Sequence, residues 1–268
     1  MLEVIDKRPS RDPHKTPLVF VHGAWHGAWC WDEHFLDYFA AKGYRSVAVS
    51  LRGHGKSPAP KTMRFCSIAD FVDDVASIAD ALPMPPVVIG HSMGGFVVQK
   101  YLESHGAPAA ALLASAPPSG IARFFLHRFQ RHPWLTARSL AMGRSLPGVG
   151  GTPELARETF LSELIPDTDV VRYTELLREE YVSKFVLEML LLNLPKPHLV
   201  TAPLLVLGAE NDIVFTQQEV RATAAAYRTE TEIFPGMAHD MMLEPGWAGV
   251  AERIHAWLET RCPTTLPK

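Results

Sequence analysis

Short apolar runs that each stop at a glycine-marked turn constrain this chain more than any other feature. Leu18–Val21 leads into His22-Gly23, Arg45–Val49 into Arg52-Gly53, and Val87–Ile89 into Gly90. A run that is apolar without alternation suits a strand covered on both faces, the situation of a buried parallel strand that ends in a turn. Further strands are expected at Ala110–Ala114, Leu204–Leu207 and Thr231–Phe234, with a weaker signal at Leu2–Ile5. Helical patterns lie between them. In Ser67–Leu82, the residues Ile68, Phe71, Val72, Val75, Ile78, Ala79 and Leu82 fall on one helical face, and Ser67 with Asp70 has the form of a capping box. Gly94–Ser104, Gln217–Tyr227 and Trp247–Thr260 also read as helices. The alternation predicts an α/β fold, a mainly parallel sheet with helices on both faces.

From Pro118 to about Thr201 the rhythm breaks into helical patterns and prolines with no convincing strand. Structureless loops longer than about 15 residues are uncommon in compact domains, so this stretch is expected to be a helical insertion. The organisation is then a core in two parts, residues 1–117 and 202–268, with residues 118–201 as an insertion over the sheet. Nothing in the charge, −3 over 268 residues with signs intermixed, asks for nucleic acid or an anionic membrane as principal partner. Cys30, Cys66 and Cys262 are odd in number and scattered, without the spacing of a disulfide framework or a zinc site. That usage fits a reducing, cytoplasmic setting. Residues 1–12 hold no apolar signal core, and no run is long enough to span a bilayer, so a soluble protein is expected.

Gly90-His91-Ser92-Met93-Gly94 matches G-x-S-x-G, directly after one predicted strand and directly before a predicted helix. That context is the one in which a sharp strand-to-helix turn presents a serine above the sheet edge, with small residues on either side where chain segments crowd. A serine hydroxyl is a weak nucleophile until a base takes its proton, so Ser92 needs a histidine and a group to orient it. Among twelve histidines, His239 lies in a loop between the last predicted strand and the C-terminal helix, from which an imidazole can return to Ser92. Asp212 follows Leu204–Leu207 through a short loop and is the first choice for the acid that fixes the tautomer of His239. Glu210 and Asp240 are its rivals; Glu210 sits nearer the strand end, and Asp240 adjoins His239 in sequence, a poor position for aiming back at that ring.

Acyl transfer also needs donors where negative charge develops, and losing one typically costs about 2.7–4 kcal/mol of barrier. Met93 N–H, next after the nucleophile, and Ala24 N–H, in the loop after Leu18–Val21, are the candidate oxyanion donors. Trp25 reads equally as pocket wall or as packing. His22, His26 and His91 lie close together on turns without a carboxylate at ligand spacing, which favours structural hydrogen bonds over a metal. Arg52–Ser57 lacks the spacing of a phosphate-binding loop and reads as a tight loop at the sheet edge.

Through His22–Trp25, Arg52–Ser57, Gly90–Gly95, Gly208–Asp212 and Gly236–His239 the chain resembles the α/β-hydrolase superfamily over essentially its whole length. The order Ser92, Asp212, His239 is that of this superfamily and differs from the orders of chymotrypsin and subtilisin. Locally, His22–Trp31 is similar to the plant methylesterase and hydroxynitrile lyase group, and Arg52–Ser57 to the loop of epoxide hydrolases and related bacterial esterases. Epoxide hydrolases and haloalkane dehalogenases use aspartate where this chain has Ser92. Hydroxynitrile lyases usually have threonine and lysine where it has Gly23 and Asp240. The resemblance therefore implies a serine-dependent carboxylic-ester hydrolase working through an acyl-enzyme on Ser92, with no metal or organic cofactor.

The same resemblance makes residues 118–201 a cap over the nucleophile. Phe124, Phe125, Leu126 and Phe129, with Phe185–Leu192, are candidates for an apolar ceiling above a hydrophobic acyl substrate, or for the internal packing of the cap. Arg123, Arg128 and Arg131 between the phenylalanines read as a solvated face, with a lipid interface as the alternative. A lyase or cofactor-free oxygenase on the same residues, and a ligand receptor, stand as rivals to the esterase.

Overall fold

The computed structural model describes residues 1–10, 13–143, 151–178, 180 and 183–261. Among them seven strands form one sheet: β1 (Val4–Lys7), β2 (Leu18–Val21), β3 (Ser46–Val49), β4 (Val87–His91), β5 (Ala110–Leu113), β6 (Leu204–Ala209) and β7 (Thr231–Phe234). They are arranged β1-β3-β2-β4-β5-β6-β7, with β1 antiparallel to β3 and every other pair parallel. The five inner strands are buried along their length, as runs without alternation require. The edge strands β1 and β7 are half-exposed. The weak signal at Leu2–Ile5 comes out two residues later as β1, because an edge strand has one covered side and carries Asp6 and Lys7 without cost.

Helices α1 (Trp29–Asp32) and α2 (Phe35–Ala41) connect β2 to β3, α3 (Ile68–Asp80) connects β3 to β4, and α4 (Met93–Tyr101) follows β4. The capping box at α3 is present in both directions between Ser67 and Asp70. Ile68, Phe71, Val72, Val75 and Ala79 are buried on its inner face. The sequence pattern did not reveal α1 and α2. They are too short for a 3.6-residue period to emerge, and their place is fixed by tertiary packing of Trp31, Phe35 and Phe39 around Phe20.

Residues 118–201 lie between β5 and β6 and contain, among the described residues, helices and no strand. These are α5 (Ala122–Arg131), α6 (Pro133–Ala141), α7 (Pro153–Phe160), α8 (Asp167–Leu176) and α9 (Lys184–Leu187), then a π-helical turn over Glu188–Leu192 and a 3₁₀ turn at Pro197–Leu199. Glu188 ties this insertion to the core by accepting a hydrogen bond from Ile68 N–H at the start of α3 (2.7 Å). After β6 come α10 (Gln217–Ala226), β7 and the C-terminal α11 (Trp247–Arg261). Among the described residues no helix is long and apolar enough to cross a membrane. Cys30 and Cys66 are buried free thiols, and Cys262 lies outside the described residues.

Strand order determines where a site can form. β3 and β4 flank β2, so the chain changes direction across the sheet there, and ligands in open α/β sheets bind beyond the C-terminal strand ends at such a point. The register Val21↔Gly90 sets the loop after β2 beside the turn after β4. The approach is tight: a Cβ on Gly94 would collide with the carbonyl oxygens of Val21 and His22, and one on Gly90 with the backbone of Gly94 and Gly95. Gly94→Ala is therefore expected to cost about 1–3 kcal/mol or to prevent folding, measured by chemical denaturation. Gly106→Ala, with open space around it, is expected to stay within about 1 kcal/mol of the parent. Equal stability of the two variants would show that the turn does not depend on this approach.

Candidate active site

Ser92 is the hinge residue between β4 and α4 and has φ 54° and ψ −119°. For a residue with a side chain this is strained backbone, of order 1–3 kcal/mol, and it persists only where neighbours impose it. Its N–H donates to Leu113 (3.1 Å), and its carbonyl accepts from Phe96 N–H (3.2 Å) and Ala116 N–H (3.1 Å). The backbone is thus tied to β5, to α4 and to the segment that leaves β5. Ser92 helps to line a cavity between the sheet edge and the helical insertion.

His239 and Asp212 arrive on the loops after β7 and β6. His239 Nδ1 donates to Asp212 Oδ2 (2.8 Å), both side chains being buried. The other carboxylate oxygen accepts from Val214 N–H (2.7 Å) and Phe215 N–H (3.0 Å), so Asp212 is held by its own turn while it orients the ring. This arrangement assigns the Nδ1–H tautomer or the imidazolium to His239 and leaves Nε2 as the atom that can exchange a proton with Ser92. Among the described residues no hydrogen bond engages Ser92 Oγ or His239 Nε2. The bridge between their chain segments is His91, which donates from Nε2 to the His239 carbonyl (3.0 Å) and precedes Ser92 in sequence.

The rival carboxylates are engaged elsewhere. Glu210 accepts from Gly236 N–H (2.8 Å), and Asp240 pairs with His26 Nε2 (2.9 Å), its side chain leaving the neighbouring His239 ring to Asp212. Burial would by itself raise the pKa of Asp240, yet His26, His91 and His239 together hold it below the usual carboxylate value. Burial is also the largest influence on His239 and pushes its pKa down. The carboxylates of Asp212 and, after it, Asp240 outweigh burial, and the net displacement is upward. His91, buried and next to His239, is lowered to about 3 and is neutral at ordinary pH.

The loop after β2 carries Ala24 to the same cavity as Met93 and Ser92, and neither the Ala24 nor the Met93 amide is engaged in a hydrogen bond among the described residues. His22 shapes this loop. Nε2 accepts from Leu51 N–H (3.0 Å), so Nδ1 carries the proton and donates to the Gly23 carbonyl (2.7 Å). His26 Nδ1 likewise donates to the Ala24 carbonyl (2.7 Å). A Cβ on Gly23 would stand 2.9 Å from Ser92 Cβ and 3.0 Å from His91 Nδ1, which explains glycine at a position where a lyase-like sequence has threonine. His91, His239 and Asp240 are near enough to share an ion geometrically, with candidate ligand atoms within 4.8 Å of one another. The hydrogen bonds just described already use His239 Nδ1, His91 Nε2 and one oxygen of Asp240.

The cavity lies between Ser92 and the helical insertion. Trp25, Phe124 and Phe125 line it, as do Phe185, Val186 and Met189 from the run expected to form a ceiling, and Val214, Phe215 and Glu180, which sequence reasoning did not name. Trp25 is both wall and packing, since its ring also meets Phe160. Two expectations are corrected. Leu126, Phe129, Leu191 and Leu192 face outward and form no ceiling, because one turn of helix brings only every third or fourth residue to the cavity. Arg128 is not on a solvated face but 2% exposed beside Glu158, while Arg123 and Arg131 pair with Glu219 and Glu158. Val214 and Phe215 were within reach of the sequence as immediate neighbours of Asp212. Glu180 was hidden in the charged run Arg178-Glu179-Glu180, which looks like a solvated surface.

The model of the alpha/beta hydrolase family matches residues 18–253. A monoacylglycerol lipase of Mycolicibacterium smegmatis is 23% identical over 266 residues, covering 93% of this chain and 90% of that protein. A non-heme chloroperoxidase of Streptomyces lividans is 40% identical, over 38% of this chain and 37% of that protein, so the chain matches little more than a third of its length. Among solved structures, the Paleococcus ferrophilus monoacylglycerol lipase superposes with a TM-score of 0.70 at 20% identity, covering 97% of this chain and 99% of that one. An enol-lactonase from Burkholderia xenovorans also has a TM-score of 0.70, at 16% identity over 96% of each chain. At these identities the structures establish the fold.

Because Asp212 is the largest of the influences that raise His239, Asp212→Asn is expected to move the imidazole titration midpoint to lower pH. Asp240→Asn is expected to move it in the same direction by less. Proton NMR of the His239 ring across pH checks both, and a midpoint indifferent to Asp212 would remove it as the orienting partner.

Proposed function

The chain belongs to the alpha/beta hydrolase family, and from that premise we propose that it hydrolyses carboxylic esters with Ser92 as nucleophile. The observation that carries this reading is the Asp212–His239 hydrogen bond, on a segment tied through His91 to the strained Ser92 turn, with Ser92 lining an almost wholly apolar cavity. Ser92 Oγ attacks the ester carbonyl carbon as its proton passes to His239 Nε2. The carbonyl oxygen takes the negative charge and accepts from the Ala24 and Met93 amides. Collapse breaks the bond to the alkoxide, which leaves with the proton from His239, and an acyl-enzyme remains. Water then gives a proton to His239 and attacks the acyl carbon, releasing the acid and restoring Ser92.

Asp212 contributes by keeping Nδ1–H fixed and by stabilising the imidazolium during both transfers. The apolar lining from Ile121, Phe124, Phe125, Phe185, Val186 and Met189 favours a hydrophobic acyl group of small or medium size. Gly23 brings no side-chain hydroxyl to the oxyanion loop and Asp240 is committed to His26, which speaks against lyase chemistry on this scaffold.

Ser92→Ala is expected to lower turnover of p-nitrophenyl butyrate and hexanoate about a million-fold while leaving the circular dichroism spectrum unchanged. In the parent enzyme, kcat/KM should fall as pH drops through the raised His239 value, since the base must be neutral to accept the proton. Undiminished turnover in the alanine variant would overturn the assignment.

A further inference from the structure

Apart from Ser92, every side chain described at the cavity wall is apolar except one. Glu180 comes from the cap segment between α8 and α9, is 5% exposed and lines the cavity together with Ser92, Ala24 and Trp25. Burying a carboxylate in such surroundings is unfavourable unless its oxygens are used. One oxygen is used twice: Glu180 Oε1 accepts from Trp25 N–H (3.1 Å) and from His54 Nε2. Trp25 is clasped from its other side by the same cap segment, its carbonyl accepting from Arg178 N–H (2.8 Å). The cap thereby grips the residue next to the Ala24 oxyanion amide, at a point where the backbone has φ 67°.

The second oxygen, Oε2, has no hydrogen-bond partner among the described residues. A clamp between cap and core would be complete with Oε1 alone. His54 balances the carboxylate: its Nδ1 donates to the Arg52 carbonyl (3.0 Å), so an acceptor stands at each ring nitrogen and both must carry protons. Burial opposes that charge, and Glu180 outweighs burial and raises the pKa of His54. With the charge already matched, what Glu180 offers the cavity is a strong acceptor in a neutral ion pair. A hydroxyl satisfies such an acceptor, whereas an ammonium would place a second cation beside one carboxylate.

We infer that Glu180 is a specificity-determining residue that selects esters carrying a hydroxyl group within reach of the scissile carbonyl, the remainder of the substrate being apolar. Its kinetic consequence rests on the ester hydrolysis proposed above. A site built to meet a substrate hydroxyl discriminates against the analogue lacking it, because the buried acceptor is then left unpaired. Glu180→Gln keeps the size of the side chain and an oxygen for Trp25 N–H, and turns an amide donor toward the cavity.

The test compares kcat/KM for 2-hydroxyethyl, propyl and 2-(dimethylammonio)ethyl hexanoate in the parent chain and in Glu180→Gln. The parent is expected to prefer the hydroxyethyl ester over the propyl ester by about ten-fold and to prefer it also over the ammonium ester. The variant is expected to lose the preference over the propyl ester. A uniform fall for all three esters with the ratios preserved would make Glu180 a clamp only, and a parent preference for the ammonium ester would overturn the neutral donor. Ligand-observed NMR titration with 1-hexanol and 1-chlorohexane reads the same contact without turnover. Tighter binding of the alcohol by the parent, lost in the variant, supports the inference, and equal affinities in the parent overturn it. Were no ester hydrolysed by the parent, the proposed reaction would fail and the binding comparison would still decide the role of Glu180.

Discussion

The backbone of one residue, held at φ 54° between the central strand β4 and helix α4, is the constraint on which the rest of the molecule depends. A serine adopts that conformation only where the surroundings impose it, and here three hydrogen bonds, to Leu113 of β5, Phe96 of α4 and Ala116 just after β5, do so. The same turn admits no side chain at Gly94, where the Val21 and His22 carbonyls press against it, nor at Gly90, where the backbone of Gly94 and Gly95 does. That close approach brings the Ala24 amide to the cavity that holds Ser92. Strain, glycine placement and strand register are therefore one geometric fact seen from three sides.

Around this turn five histidines and three carboxylates are buried close together, and their pairings keep their roles apart. His22 is held neutral, burial pushing its pKa well down, and spends both ring nitrogens on the backbone of its own and the adjoining loop. His26 occupies Asp240, so the carboxylate next to His239 in sequence does not compete for the ring that Asp212 orients. Glu180 and His54 form a separate pair that ties the helical insertion to the loop after β2. Paired and oriented groups respond to a forming charge without rearranging, which is the property electrostatic catalysis requires.

Much of this was legible in the sequence. Strands buried on both faces leave uninterrupted apolar runs, so β2, β3, β4, β5 and β6 stood out, and a reciprocal cap marked the start of α3 at Ser67. Asp212 and His239 could be chosen because loops at the C-terminal edge of a parallel sheet converge on one place. Features decided by packing between distant segments left no such trace. α1 and α2 are too short to show a period, and Arg128 looked solvent-facing because burial beside Glu158 depends on a neighbouring helix. Glu180 is part of a run of charges in sequence, and its partners lie 126 and 155 residues away.

The most direct test of the central claim is to quench the reaction of the intact chain with p-nitrophenyl hexanoate in acid during the first turnover and to map the bound acyl group by mass spectrometry. A hexanoyl group on the peptide containing Ser92, absent when the residue is alanine, is the predicted result. Turnover that proceeds with no acyl adduct, or with the adduct on another residue, would contradict the account.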